Sequence, residues 1–210
     1  MRKLSEGAES IIYNTRFLGL GSVIKRRVKK HYRINEIDDT IRSRRTKNEA
    51  KIMCAVSSLS IRSPKVLLVG KYDITMSKII GVNLNTYNLL DAATAKKLVG
   101  VFSTLGKYAA LLHNSNVVHG DYTPANIMIN KGNVFLIDFG LSEFNSSIEE
   151  KAIDLLLMKR SIKKESFRML IKSYTKKCKN SIKIIKKLEE IEKRGRYNTR
   201  TLIAGQDDET

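Results

Sequence analysis

Apolar and polar positions follow two rhythms along the chain. In residues 8–27 the β-rich stretches Ser10-Ile11-Ile12-Tyr13 and Ser22-Val23-Ile24 flank Gly19-Leu20-Gly21, which predicts a hairpin. Ile41, Ala50, Ile52, Met53 and Val56 then recur in a charged segment free of Pro and Gly. That spacing predicts a helix from about Thr40 to Ser57, ended by Ser63-Pro64. Lys65 to Val69 and Tyr72 to Met76 predict two further strands around Gly70-Lys71. Further on the period lengthens. Leu98, Val99, Phe102, Leu105, Tyr108, Ala109 and Leu112 return at three and four, one buried face of a helix from about Ala92 to Asn114. Short apolar pieces follow at Asn116 to Val118, Ile127 to Ile129 and Val134 to Ile137. The last two form a hairpin over Asn130-Lys131-Gly132-Asn133. Beyond Ile148 the pattern is helical to about Arg194, with breaks near Ser161 and Asn180, and Gly205 to Thr210 reads as a frayed end. Strands with one helix thus make up the first half, and helices with small hairpins the second.

Length and charge narrow the classes. With 210 residues the chain forms one substantial domain or two small lobes. Lys and Arg number 39 against 21 acids, a formal charge of +18 that points to a polyanion nearby. The charge is concentrated in two blocks: ten cations against three acids from Lys25 to Lys47, and sixteen against four from Lys159 to Arg200. Pairing within helices cannot neutralise the second block, so contact with a phosphate backbone is its natural use, with the acidic surface of a protein partner as the rival explanation. No run approaches the roughly 18 apolar residues of a membrane span, and the polar start lacks a secretory pattern, so a cytoplasmic chain with no membrane contact is expected. Cys54 and Cys178 lie far apart and are expected to be two buried thiols, with no zinc site and no disulfide.

The chemistry is concentrated in His119-Gly120-Asp121-Tyr122-Thr123-Pro124-Ala125-Asn126, followed twelve residues after Asn126 by Asp138-Phe139-Gly140. An Asp and an Asn five apart, with a second Asp beyond a hairpin, is the arrangement of phosphoryl transfer. Asp121 would accept the proton of the attacking hydroxyl, while Asn126 and Asp138 would hold Mg²⁺ bridging the phosphates of ATP. Such a site also needs a cation on a strand and a Glu on the next helix to hold it. Val23-Ile24-Lys25 and Glu49 supply these types, though each is equally a surface charge when taken alone. The covering loop is atypical. Ser5-Glu6-Gly7-Ala8-Glu9-Ser10 offers a single Gly, with Gly7, Ala8, Glu9 and Ser10 as the phosphate-facing candidates.

A wider resemblance rests on strings over essentially the whole chain: Gly7-Ala8-Glu9-Ser10, the segment Ile24 to Arg33, Arg44-Arg45-Thr46-Lys47-Asn48-Glu49-Ala50, His119-Gly120-Asp121, Ile137 to Ser142, Lys151 to Leu155 and Arg194-Gly195-Arg196. The chain resembles the small atypical kinases of the KEOPS complex, the Bud-thirty-two family. That resemblance implies an α+β fold, a reduced bilobal protein-kinase-like architecture with a β-rich N-lobe over residues 1–80 and a short helical C-lobe with a basic tail over 81–210. It also implies Ser/Thr kinase or ATPase activity with ATP and Mg²⁺, in support of a partner subunit, the threonylcarbamoyl-transferase ATPase of the complex, in modifying tRNA. Carried over by position, Lys25 contacts the phosphates, Glu49 pairs with it, Asp121 is catalytic, and Asn126 and Asp138 bind metal. Arg194, Arg196 and Arg200 are the tail candidates for tRNA contact.

Some features depart from the broader kinase pattern. Gly120 stands where regulated protein kinases carry Arg, and no Ala-Pro-Glu follows Asp138. In the hinge Met76 to Gly81 the departure is from the resembled family itself, which commonly has acidic residues there; Lys78 leaves adenine-edge contacts to backbone groups. His119 is expected to pack inward rather than shuttle protons, and Asp154 to hydrogen-bond the backbone of the catalytic loop. Two alternative functions remain open at this level: a small-molecule phosphotransferase of the antibiotic-kinase type, which shares His-Gly-Asp, and a nucleotide-sensing scaffold that binds tRNA.

Overall fold

The computed structural model describes residues 1–87 and 95–204; the side chains of residues 87, 95–98 and 195–204 lie outside the description. The first half builds one antiparallel sheet, ordered β1-β2-β3-β5-β4, from β1 (Arg2–Glu6), β2 (Ser10–Phe17), β3 (Leu20–Arg27), β4 (Val66–Val69) and β5 (Asp73–Ser77). Every side chain of β1 is exposed, so it contributes no apolar rhythm; its backbone pairing with β2, Lys3 opposite Tyr13 and Glu6 opposite Ile11, makes it a strand. The helix α1 (Asn35–Ser57) starts five residues before the expected Thr40. Its extra turn is polar to the eye but anchored: Asp38 is fully buried and accepts from the Lys30 amide at 3.2 Å and Arg42 Nε at 2.7 Å. The same register turns Cys54 outward while Ile52, Met53 and Val56 face the core, so of the two expected buried thiols only Cys178 is buried.

The second half begins with β6 (Val82–Asn83) and the single turn α2 (Leu84–Tyr87). The helix α3 (Ala95–Asn114) buries Phe102, Leu105, Tyr108, Ala109 and Leu112, as its spacing predicts, whereas Val99, expected on the same face, is exposed; the expected start at Ala92 lies outside the described residues. Two small sheets follow. β7 (Val117–Val118) pairs with β10 (Glu143–Phe144), and β8 (Ile127–Asn130) lies between β6 and β9 (Asn133–Leu136). Lys131 and Gly132 both take positive φ, 47° and 80°, the geometry of a tight two-residue hairpin turn. The helices α4 (Ile148–Ser161), α5 (Lys164–Lys177) and α6 (Ser181–Ala204) close the fold. Ser147 caps α4 by accepting from the Glu149 and Glu150 amides. α3 packs closely on α5 through Gly106, where a Cβ would meet the Leu170 carbonyl. One contiguous core runs from Ile52 and Ile74 of the first half to Ile127, Phe139, Leu155 and Tyr174 of the second. The breaks between α4, α5 and α6 fall close to the expected Ser161 and Asn180, whereas α6 continues ten residues beyond Arg194. The expected frayed end at 205–210 lies outside the described residues.

Candidate active site

A cleft of about 250 Å³ opens between the sheet and the second half. Val23, Met76, Met128 and Ile137 supply apolar walls, and Lys25, Glu49, Asn126 and Asp138 complete it. Lys25 reaches it from β3 and is buried. Its ammonium donates to Glu49 Oε1 and to Asp138 Oδ1, each at 2.6 Å. Burial opposes its charge, but Glu49 and Asp138 outweigh that and hold the lysine above its ordinary value. At Asp138 burial likewise favours the neutral acid; the Lys25 charge and hydrogen bond, with the Gly140 amide at 3.0 Å, prevail and keep the carboxyl below its usual range. Asp138 adopts φ +58°, a left-handed conformation that turns its side chain toward Lys25 as the chain leaves β9.

Sequence spacing does not single out one member of this cluster. Arg27 follows Lys25 by two, on the same face of β3, and donates from Nη2 to Glu49 Oε2 at 2.6 Å. Glu49 therefore holds two buried cations, one on each oxygen. Strand alternation is the signal that distinguishes Arg27 from the remainder of the basic block.

Across the cleft, Pro124–Asn126 form a single 3-10 turn that brings Asn126 back onto Asp121. Asn126 Nδ2 donates to the Asp121 carbonyl at 2.9 Å and to Asp121 Oδ2 at 2.7 Å. Among the described residues no hydrogen bond occupies Asp121 Oδ1, and Asn126 meets Asp121 through its amide nitrogen, which leaves its amide oxygen for another partner. That oxygen and Asp138 Oδ2 are donors of the kind a hard cation such as Mg²⁺ takes, one or two from the protein with water and phosphate completing its shell, and both residues line the cleft. Among the described residues no group of three or more His, Cys, Asp or Glu gathers as a metal cage.

The loop bearing Asp121 is held from behind. Asp154 on α4 accepts the His119 amide on Oδ2 at 2.7 Å and the Gly120 amide on Oδ1 at 2.8 Å, and Oδ2 also lies 3.3 Å from His113 Nε2. His113 Nδ1 in turn meets the Tyr174 hydroxyl at 2.8 Å. His119 is fully buried between Tyr122 and Phe139; its Nδ1 accepts the Asp121 amide at 3.3 Å, and burial lowers its pKa despite three nearby carboxylates. It therefore packs inward as a neutral ring. Gly120 takes φ +78°, and any Cβ there would collide with the Leu141 carbonyl, which is why Arg has no place at this position.

The remaining sequence candidates lie elsewhere. Gly7, Ala8, Glu9 and Ser10 form the β1–β2 turn, closed by Gly7 N–H to the Ser10 carbonyl at 2.9 Å, and are not among the residues that wall the cleft. The Glu9 carboxylate faces Arg45 and Arg27. Lys78 is the exception: with Ser77 and Ile79 it lines the cleft at the hinge, and its Nζ donates to Asn14 Oδ1 at 2.8 Å, across the sheet. Arg194 is paired with Glu149 at 2.8 Å; the side chains of Arg196 and Arg200 lie outside the described residues. No helix among the described residues is long and apolar enough to cross a membrane.

Comparison with known proteins extends this geometry. Two solved structures share the kinase-like fold: WaaP in complex with acyl carrier protein, TM-score 0.63 at 10% identity over 91% of this chain and 88% of that one; and the streptomycin-ATP-APH(2")-IIa ternary complex, TM-score 0.59 at 16% identity over 90% and 80%. Among curated proteins, the EKC/KEOPS complex subunit BUD32 of Enterocytozoon bieneusi is 35% identical, covering 92% of this chain and 97% of its own. The KEOPS complex subunit Bud32 of Pyrococcus abyssi is 33% identical over 97% and 99%. A "probable bifunctional tRNA threonylcarbamoyladenosine biosynthesis protein" of Methanobrevibacter smithii is 35% identical over 92% of this chain, which spans 36% of that longer protein. The sequence signature of the RIO domain matches residues 22–179. The chain belongs to the RIO domain family, in the branch represented by the KEOPS complex subunit Bud32.

Proposed function

We propose that the chain is an ATP- and Mg²⁺-dependent phosphoryl transferase or ATPase that serves a KEOPS-type assembly modifying tRNA. The observation that carries this reading is the Lys25 ammonium held 2.6 Å from both Glu49 and Asp138, at a cleft that Asn126 also lines. A buried lysine between two carboxylates is a phosphate-binding cation at rest: an arriving polyphosphate competes for it and frees Asp138 for metal. Asn126 and Asp138 would hold Mg²⁺, which would neutralise charge on the phosphate oxygens. Asp121 orients the attacking hydroxyl, of water or of a Ser/Thr side chain, and takes its proton on the oxygen that Asn126 leaves open. The apolar walls at Val23, Met76, Met128 and Ile137 suit a nucleobase. The names of the relatives favour a KEOPS subunit as partner and tRNA as the modified substrate. The excess of cations after Lys159, with Arg194, Arg196 and Arg200 in the tail, suits an RNA backbone.

Turnover of γ-labelled ATP, with and without the partner ATPase subunit and tRNA, tests this reading, with label followed separately into free phosphate and protein. Asp121→Ala and Asp138→Ala are expected to lower turnover by about 10²–10⁴. Either variant retaining full turnover would remove the assignment. Label found only as free phosphate identifies water as the acceptor.

A further inference from the structure

The tip of the β1–β2 hairpin carries a carboxylate, a charge that by itself would repel nucleotide phosphates. Glu9 is 41% exposed, and its oxygens are held by two different elements: Arg45 of α1 on Oε1, and Arg27 of β3 at 3.4 Å from Oε2. Arg45 lies one helical turn before Glu49. The other arm of Arg27 holds Glu49 itself at 2.6 Å. A continuous chain of opposite charges therefore runs from Arg45 through Glu9, Arg27, Glu49 and Lys25 to Asp138, three cations against three carboxylates. Lys30 adds a second tether to the same turn by donating to the Ala8 carbonyl. The hydrogen bond from Arg45 keeps the Glu9 carboxyl below its ordinary range, so the clamp is charged at neutral pH.

We propose that Glu9 is a positioning residue for the ATP phosphates: it touches no substrate, and through Arg45 and Arg27 it pins the hairpin tip in register with Lys25. The proposal rests on the phosphoryl-transfer reading above. Two guanidiniums neutralise the carboxylate; the turn itself does not wall the cleft, and Glu9 acts through Arg27 and Glu49 to hold the Lys25 ammonium in one place for phosphate oxygens instead of leaving it to sample many.

The test is the affinity of the full chain for ATP with Mg²⁺ and for adenosine, in the unaltered protein, Glu9→Gln, Arg45→Met and the double variant. Each single change is expected to weaken ATP by about five- to tenfold and adenosine by less than about twofold, with the double variant no weaker than the worse single. Equal losses for ATP and adenosine would mean a general structural role and overturn the proposal. So would tighter ATP binding by Glu9→Gln, the result of simply deleting a repulsive charge, or additive losses in the double variant. If the unaltered chain binds ATP no better than adenosine, the phosphate site itself fails and the proposal falls with it. An ATP preference in the unaltered chain that Glu9→Gln fully retains overturns the proposal alone.

Discussion

Above the cleft, side chains of alternating charge run from Arg45 to Asp138; below it, Asp121 and Asn126 sit on a loop whose backbone amides are held by one carboxylate, Asp154. The two halves are fixed by different physics. In the upper half the middle members, Arg27, Glu49 and Lys25, are buried, whereas the ends, Arg45, Glu9 and Asp138, are 38–46% exposed in their side chains. Exposed ends can change partners when a charged ligand arrives, while the buried middle cannot release its charges without a large desolvation cost. Among the described residues no such movable pair anchors the loop of the lower half. Its anchors are amide hydrogen bonds and the buried rings of His113, His119, Tyr122 and Tyr174, groups that gain nothing by moving. The upper half is arranged to respond to a ligand and the lower half to stay fixed.

The largest test of that contrast is Asp154→Ala. It strands the buried His119 amide, the Gly120 amide and the His113 ring at once. A loss of about 3 kcal/mol is expected, or roughly 6–12 °C in the thermal midpoint of a chain this size. A shift of only a degree or two would break the comparison, because the loop would then be anchored by something else. Next in size is Gly120→Ala, which adds a Cβ at φ +78° against the Leu141 carbonyl. About 2 kcal/mol is expected from strain and displacement, read as a lower urea midpoint with an unchanged slope.

These elements also show what could be seen in the sequence. Lys25, Glu49, Asp121, Asn126 and Asp138 were legible because phosphoryl transfer needs those residue types in that order, and Asp154 because it shares a face with Leu157 and Met158 on a helix that the sequence predicts. Arg27 and Arg45 were hidden inside a block of ten cations, where charge alone does not tell a buried partner of Glu49 from a solvated side chain. Alternation along β3 separates Arg27, whereas Arg45 stands on α1, where no local pattern marks it. β1 and β10 were invisible for another reason: their side chains are exposed, and strand pairing through the backbone leaves no hydrophobic rhythm. The early start of α1 depends on the burial of Asp38, a tertiary effect that no local propensity reports.

The smallest expected effect separates the halves by pH. Burial depresses the pKa of His119 below 6.5, so as the pH falls the unfolded chain takes up this proton before the folded one. Its contribution to stability is therefore complete above about pH 6.5 and is lost as the pH drops below that value, at no more than about 1.4 kcal/mol per pH unit. The upper half responds in a different window. Glu9 and Asp138 are held below their ordinary values of 4.5 and 3.8, so what they contribute persists until the solution is more acid than that. Denaturant midpoints between about pH 6.5 and 5 thus report on the lower half. His119→Gln is expected to flatten that slope while Glu9→Gln leaves it in place. A slope that survives His119→Gln would show that some other group carries it. A slope abolished by Glu9→Gln would show that the two halves titrate as one network, against the separation of a responsive upper half from a fixed lower one.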